Sequence, residues 1–244
     1  MLKSFHQLYL KQRFLTSVVS IFMNPLYLIR RNLFKNIKEL APNLKGNCMD
    51  FGCGSKPYES LFTVEKYVGV DIEVSGHQHL GEEFDKIDIF YDGKTIPVEN
   101  ETFDSVFCSE VFEHIFNLPE ILAEINRVSK KGALVLITVP FAWEEHEIPY
   151  DFGRYTSFGI KHLLAEKGFE TIELRKSGHF MEVIWQLFIS YLSDLVRTKN
   201  KYVNLLINIV FISPFTILGM IVSFISPKLN LLYFNNVVLA KKVK

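Results

Sequence analysis

Residues 47–62 read NCMDFGCGSKPYESLF, a strand-like run through Met49, Asp50 and Phe51 that empties into Gly52 and Gly54. Glycine lacks a Cβ, so a backbone amide there approaches a ligand closely and the chain takes positive φ without strain. A strand ending this way predicts a cofactor loop. In a dinucleotide fingerprint the third glycine would fall at position 57, which is Pro57, and proline has no amide to offer a pyrophosphate. That departure argues against NAD.

Working outward, strands and helices alternate. Residues 67–70 form a short apolar run ending in Asp71, 17 positions beyond Gly54. A carboxylate at the end of a second strand is placed to accept both hydroxyls of a ribose. Further strands are expected at 87–91, before Asp92-Gly93, and at 103–107, leading into Cys108-Ser109-Glu110 and then Val111-Phe112-Glu113-His114. Asn117 and Pro119 start a helix through Ile121, Leu122, Ile125 and Val128 that Gly132 is expected to end. The continuous apolar run 133–139 belongs in a buried parallel sheet. Thr156 or Ser157 caps a helix through Ile160, Leu163 and Leu164, Gly168 ends it, and a sixth strand follows at 169–174. The chain then detours through residues 181–231 before a seventh strand at 232–240. The expected fold is α/β: a doubly wound, mostly parallel seven-stranded, Rossmann-like sheet with an apolar helical insertion between strands 6 and 7.

Four elements occur in order: Asp50-Phe51-Gly52-Cys53-Gly54, Asp71, Asp92 with Phe103-Asp104, and Glu113-His114. Together they resemble the class I S-adenosylmethionine (SAM) methyltransferases over about residues 44–180 and the last strand. The resemblance implies SAM as cofactor, with the Gly52 and Gly54 backbone against the methionine moiety and Asp50 holding its ammonium. It further implies Asp71 on the ribose and Asp92 on the adenine amine, with Asp88 as the fallback. Cys53, Ser109 and Glu110 complete the implied cofactor set. SAM carries no phosphate, so Pro57 is no obstacle to it.

Residues 146–156 read HEIPYDFGRYT, and no other loop is so dense in chemistry. The position after strand 5 faces the carboxyl ends of the strands, where α/β folds bind ligands. The string resembles a subgroup of methyltransferase-domain proteins associated with surface-polysaccharide synthesis. For transfer to a sugar hydroxyl, His146 is the first candidate base, with Glu147 or Asp151 orienting it, and His114 the second. Arg154 would suit a phosphate or carboxylate on the acceptor. The plainer use of the loop is a lid that shields the cofactor without a catalytic group.

The formal net charge of zero conceals an asymmetry. Residues 1–40 carry seven Lys/Arg and one acid, 41–180 carry 13 and 24, and 181–244 carry seven and two, giving +6, −11 and +5. Nucleic acid is a poor partner for the acidic centre, whereas the basic, apolar flanks suit an anionic membrane surface. The sequence divides into a basic amphipathic region 1–43, a SAM-binding core 44–180, the insertion 181–231 and the final strand with a basic tail, 232–244. In the first region Pro25 is expected to start a helix through Leu26, Ile29, Leu33 and Ile37 that caps the sheet. The 16-residue run 14–29 is short for a span and lacks an A-x-A site. Residues 202–226 are 25 uncharged residues with Pro214 inside, long enough to span. Because strand 7 must return to the sheet, a hairpin dipping into one leaflet, bent at Pro214, is expected instead.

Cys48, Cys53 and Cys108 show no C-x-x-C spacing, which predicts reduced thiols in a cytoplasmic setting and no metal site; with the basic flanks, the expected place is the inner face of the membrane. The sequence therefore predicts a SAM-dependent methyltransferase acting on a sugar or lipid-linked glycan at the membrane face. Two alternatives stand beside it: methylation of a lipophilic small molecule such as a quinone, and a non-enzymatic SAM-binding scaffold.

Overall fold

The computed structural model describes residues 12–72 and 86–244. The chain divides into two compact units, one made of residues 37–175 and 235–244, the other of residues 1–36 and 176–234.

The first unit is built on seven strands: β1 (Asn47–Phe51), β2 (Lys66–Ile72), β3 (Ile89–Tyr91), β4 (Phe103–Ser109), β5 (Ser129–Pro140), β6 (Phe169–Ser177) and β7 (Asn235–Lys242). Their order is β3-β2-β1-β4-β5-β7-β6. β1 pairs in parallel with β2 and β4, β2 with β3, and β4 with β5, while β7 runs antiparallel to β5. The expected architecture is thus present. Strand order reverses between β1 and β4, which opens a crevice beyond the carboxyl ends of those strands.

Alternation decides which face each strand buries. Met49 and Phe51, Val68 and Val70, Val106 and Cys108, and Val135 and Ile137 share one core. Against it lie Ile121, Leu122 and Ile125 of a helix at Leu118–Val128 and Ile160 and Leu164 of another at Ser157–Glu166. The segment joining β1 to β2 contributes only a 3-10 turn at Glu59–Leu61. Aromatic side chains do the covering there: Phe62 lies tilted against Phe107 at 4.8 Å, and Tyr58 meets the same ring edge-on at 6.0 Å.

Gly132 does not end a helix. The first of those helices stops at Val128, where the Ser129 hydroxyl donates to the Ile125 carbonyl, and Gly132, at φ +84°, lies inside β5. Thr156 is the N-cap of the second, its hydroxyl accepting from the Gly159 amide at 3.0 Å.

The second unit joins the N-terminal region to the insertion, so the organisation differs from the four consecutive blocks expected. Helix α1 is Tyr27–Leu40, and its residues through Asn36 belong here. With α2 at Leu118–Val128 and α3 at Ser157–Glu166, the insertion supplies α4 (Phe180–Val196) and a continuous helix α5 (Lys201–Ile225). Gln186 of α4 accepts the Leu28 and Ile29 amides at 3.0 and 3.3 Å, and its own amide donates to the Pro25 carbonyl. The first turn of a helix leaves such donors without intrahelical partners. Arg31 pairs with Glu182 at 2.6 Å. The first 11 residues of the expected basic region lie outside the described residues.

The hairpin turns between α4 and α5, not at Pro214. A π-helical segment, Asn208–Ile212, sits immediately before Ser213 and Pro214. Proline cannot donate to the preceding turn, and the wider π register absorbs that missing bond so the helix continues. Phe188 meets Phe215 at 6.0 Å, and Trp185 crosses Gly219 so closely that a Cβ there would lie 3.2 Å away. The falling residue numbers make α4 and α5 antiparallel. Among the described residues α5 is the one helix long and apolar enough to cross a membrane, and little of its most apolar stretch is buried.

Candidate active site

The glycine loop leaves β1 with Gly52 at φ +70° and Gly54 at φ +46°. The Gly52 and Cys53 amides both donate to the Val70 carbonyl, at 2.8 and 3.2 Å. A Cβ on Gly52 would lie 2.4 Å from the Val111 side chain, whereas at Gly54 it would meet nothing within 4 Å. Gly52 therefore serves close packing, while the Gly54 backbone borders open space of the kind a ligand fills. Asp71 accepts the Gly54 amide at 2.8 Å through one carboxylate oxygen and the Ile72 amide at 2.8 Å through the other. The strand-end acid and the loop are thus one hydrogen-bonded unit.

Asp50 is buried beneath this loop and accepts the Tyr67 hydroxyl at 2.8 Å. Burial pushes its pKa up to about 7, against the pull of the Tyr67 bond and the Lys56 charge. Lys56 was not singled out from the sequence. Its stem lies over Gly69, where a Cβ would come within 2.3 Å of it, and its ammonium pairs with Asp88 at 2.5 Å. Asp88 also accepts the Gly69 amide at 2.7 Å. A glycine inside the β-run KYVGV was the available signal, since strand glycines mark close approach.

Asp92 lies on an exposed turn and accepts the Lys94 and Thr95 amides at 2.9 and 2.7 Å. That is a turn cap, the plainer use of such an acid. The Cys53 thiol is buried, and burial raises its pKa. Glu110, at φ +57°, is tied to other strands: Thr138 of β5 and Asn235 of β7 donate to its two oxygens at 2.8 and 2.6 Å, and Ser109 bonds Thr138 at 2.9 Å.

The segment after β4 and the loop after β5 meet at Glu113, whose carbonyl accepts the Phe152 and Gly153 amides at 2.7 and 3.2 Å. This junction brings Glu113, His114 and His146 together. Their ligand-type atoms lie within 4.8 Å of one another. Glu113 is fully buried, and both its carboxylate oxygens lack a hydrogen-bond partner. Burial pushes its carboxyl well above the usual range. His114 places Nδ1 2.8 Å from the Tyr150 carbonyl and Nε2 3.1 Å from Glu147, and burial lowers its pKa. Glu147 holds φ +56°, in the left-handed region.

His146 is set by Asp151, which accepts its amide at 3.0 Å and lies 3.2 Å from its Nδ1. Arg154 grips the same carboxylate with two N–H groups, at 2.5 and 2.6 Å. It also donates to the carbonyls of Gly153, Glu144 and Trp143. The fork expected to meet an acceptor's anion is instead directed into its own loop, because Asp151 stands three residues away. Arg154 holds the Asp151 carboxyl down at about 2.

The glycine loop, Asp71, the Glu110–His114 segment and the loop carrying His146 and Arg154 lie at the carboxyl ends of β1, β2, β4 and β5, around the strand-order reversal. A family model described as a methyltransferase domain matches residues 26–174. No curated protein matches the sequence. Among solved structures, the chain resembles one from the Haloferax volcanii complex of the Trm112 methyltransferase activator and a putative methyltransferase, with 16% identity, 87% of this chain and 90% of that one covered, and a TM-score of 0.56. An Aquifex aeolicus SAM-dependent methyltransferase matches at 15% identity, 88% and 91% coverage and a TM-score of 0.51. A Haemonchus contortus phosphoethanolamine N-methyltransferase 2 in complex with SAM matches at 20% identity, 92% and 55% coverage and a TM-score of 0.55. With the family model spanning more than half of its length, over the strands that carry the glycine loop and Asp71, the chain belongs to the methyltransferase-domain family and is a SAM-dependent methyltransferase.

Proposed function

We propose that the enzyme methylates a hydroxyl of a sugar or lipid-linked glycan at the cytoplasmic face of a membrane. The observation that carries the acceptor class is the His146–Asp151 pair. Two acceptors stand near His146 Nδ1, Asp151 at 3.2 Å and the Glu144 carbonyl at 3.3 Å, against one donor, an Arg154 N–H at 3.4 Å; the two nearer acceptors favour a proton on that nitrogen. Nε2 is then the lone-pair nitrogen, the form in which imidazole accepts a proton from a hydroxyl near neutral pH.

Bound SAM supplies a methyl group on an electrophilic sulfonium. The protein's share is orientation and exclusion of water. The Gly52–Gly54 turn and Asp71 hold the cofactor, with Asp50 toward its ammonium. Arg154 and Asp151 act as positioning residues that fix the loop carrying His146. Support for the membrane face comes from the second unit, where Leu206, Val210, Ile221, Phe224 and Ile225 of α5 are all exposed. An apolar helix in such a unit suits an interfacial position.

Incubation with labelled SAM and membrane extracts, followed by separation of glycolipid from quinone fractions, tests the reading. Label in the glycolipid fraction is expected. Label confined to the quinone fraction would replace the acceptor, and label in water-soluble products alone would remove the membrane from the reading.

A further inference from the structure

We propose that Glu113, His114 and His146 form a binding site for a divalent transition-metal cation such as Zn²⁺ or Mn²⁺. The inference goes beyond the acceptor reading and rests on none of it.

The first observation is Glu113, fully buried with both oxygens unpartnered. A buried carboxylate without donors costs several kcal/mol, and natural interiors seldom tolerate one without a reason. The second is His114. The Tyr150 carbonyl, 2.8 Å from Nδ1, only accepts hydrogen bonds, so Nδ1 carries a proton, and in the neutral ring Nε2 presents a lone pair. That lone pair faces Glu147 at 3.1 Å and Glu113 at 3.7 Å. A nitrogen lone pair aimed at the oxygens of two carboxyl groups is repulsive unless something positive, a proton or a metal cation, lies between them. His146 distinguishes the two.

His146 brings a second imidazole to the same point, its ring 4.9 Å from that of His114. Each imidazole has its Nδ1 beside an oxygen acceptor, the Tyr150 carbonyl for one and Asp151 for the other. Metal-binding histidines are commonly held by such an outer acceptor, which fixes the tautomer. A cation with bonds of about 2.1 Å needs donor atoms roughly 3–4 Å apart. The Glu113–His114 separation of 3.7 Å already fits. The 4.8 Å outer limit of the group closes by a small rotation of His146, whose side chain is 31% exposed. Two imidazoles with carboxylate oxygens favour Zn²⁺, Mn²⁺ or Fe²⁺ over the all-oxygen preference of Ca²⁺ and Mg²⁺. Glu147 is the fourth group in reach. Where the acceptor reading also holds, a cation held there would supply Lewis acidity toward the acceptor hydroxyl, and His146 would serve as its ligand rather than as a base.

The test is calorimetric titration of the chelator-stripped full-length protein with Zn²⁺ and, separately, Mn²⁺, without SAM or acceptor. One saturable site is expected, weakened at least tenfold by Glu113→Gln and by His114→Ala, with SAM affinity retained as evidence of folding. Co²⁺ added to the unmodified protein gives a second readout that needs no variant. Intense visible absorption of a four- or five-coordinate ion is expected. The weak spectrum of hydrated Co²⁺, the absence of stoichiometric binding, or binding that both substitutions leave unchanged would overturn the site and leave a proton between the groups as the answer. A bound cation would take His146 from the base role proposed above, and the acceptor would then be decided by the labelled-SAM experiment alone.

Discussion

Arg154 and Asp151 face each other through two parallel N–H···O contacts of 2.5 and 2.6 Å, and the same carboxylate receives the His146 amide. The loop after β5 is therefore braced from within, and Arg154 reaches catalysis only through that brace. Arg154→Lys keeps the charge but loses the fork. It should lower kcat by about tenfold or more while SAM affinity changes less than twofold, a gap of about 1.4 kcal/mol per decade. Single-turnover rates beside calorimetry check it; an equal loss of SAM affinity would make the loop part of the cofactor site.

The same pair dictates an acid limit. Asp151 is lowered from 3.8 to about 2 in the folded protein, first by its hydrogen bonds to Arg154. Its side chain is 4% exposed and that of Arg154 23%, so solvent screens the pair in part. A depressed carboxyl stabilises the fold above its unfolded pKa, and that contribution is lost as pH falls through the folded one. The pair should contribute about 2 kcal/mol at neutral pH, lost between about pH 4 and pH 2. Urea unfolding of the parent and Asp151→Asn should show a gap at pH 6 that closes toward pH 2.5.

On the cofactor side, Asp71→Asn removes the charge from the acid that holds Gly54. Hydrogen bonds to charged groups are worth about 1.5–3 kcal/mol, so SAM affinity should fall roughly ten- to hundredfold. Calorimetry that finds the variant binding as tightly as the parent would remove Asp71 from the site.

Asp50 gives a different signature. Its pKa of about 7 lies above the unfolded value because burial penalises the charged form. The contribution of the neutral carboxyl to stability is complete below about pH 4 and is lost as pH rises through about 7. A cofactor ammonium beside Asp50 favours the charged form, so SAM binding near pH 6.5 should release a proton. Calorimetry in buffers of different ionisation enthalpy detects that release, and its absence would place the ammonium elsewhere.

The parts legible in the sequence are those set by local pattern. Gly52, Gly54 and Asp71 stood out by spacing, and β4 to β6 by apolar runs and caps. What escaped depended on distant partners. Glu110 reads as one more acid after a strand until Asn235, 125 residues on, arrives on antiparallel β7 and donates to it. Lys56 gains its place only when Gly69 leaves room above β2. The π segment that carries α5 through Pro214 has no periodic signature, because it is a register shift rather than a residue preference. Asp151 and Arg154 were visible as chemistry, but their spacing alone does not say that they choose each other.

Membrane attachment is expected to depend on the C-terminal end of α5. Phe224 and Ile225 there are 81% and 74% exposed, with Leu229 and Leu231 exposed beyond them. Fully burying such a side chain yields about 1.5–3 kcal/mol, and each Lys or Arg near an anionic surface adds about 1 kcal/mol. Arg197, Lys199 and Lys201 are exposed around the turn between α4 and α5. The protein should cosediment with anionic vesicles, and added salt should weaken that binding without abolishing it, since the apolar part is not screened. Phe224→Glu combined with Ile225→Glu should release it into solution with SAM affinity unchanged, because these side chains belong to the second unit. Protease protection separates the modes of attachment. Complete cleavage of the insertion in sealed vesicles fits attachment to one face. A fragment protected across the bilayer would make α5 a span, and an intact protein that stays in solution beside anionic vesicles would leave the exposed helix to a protein partner.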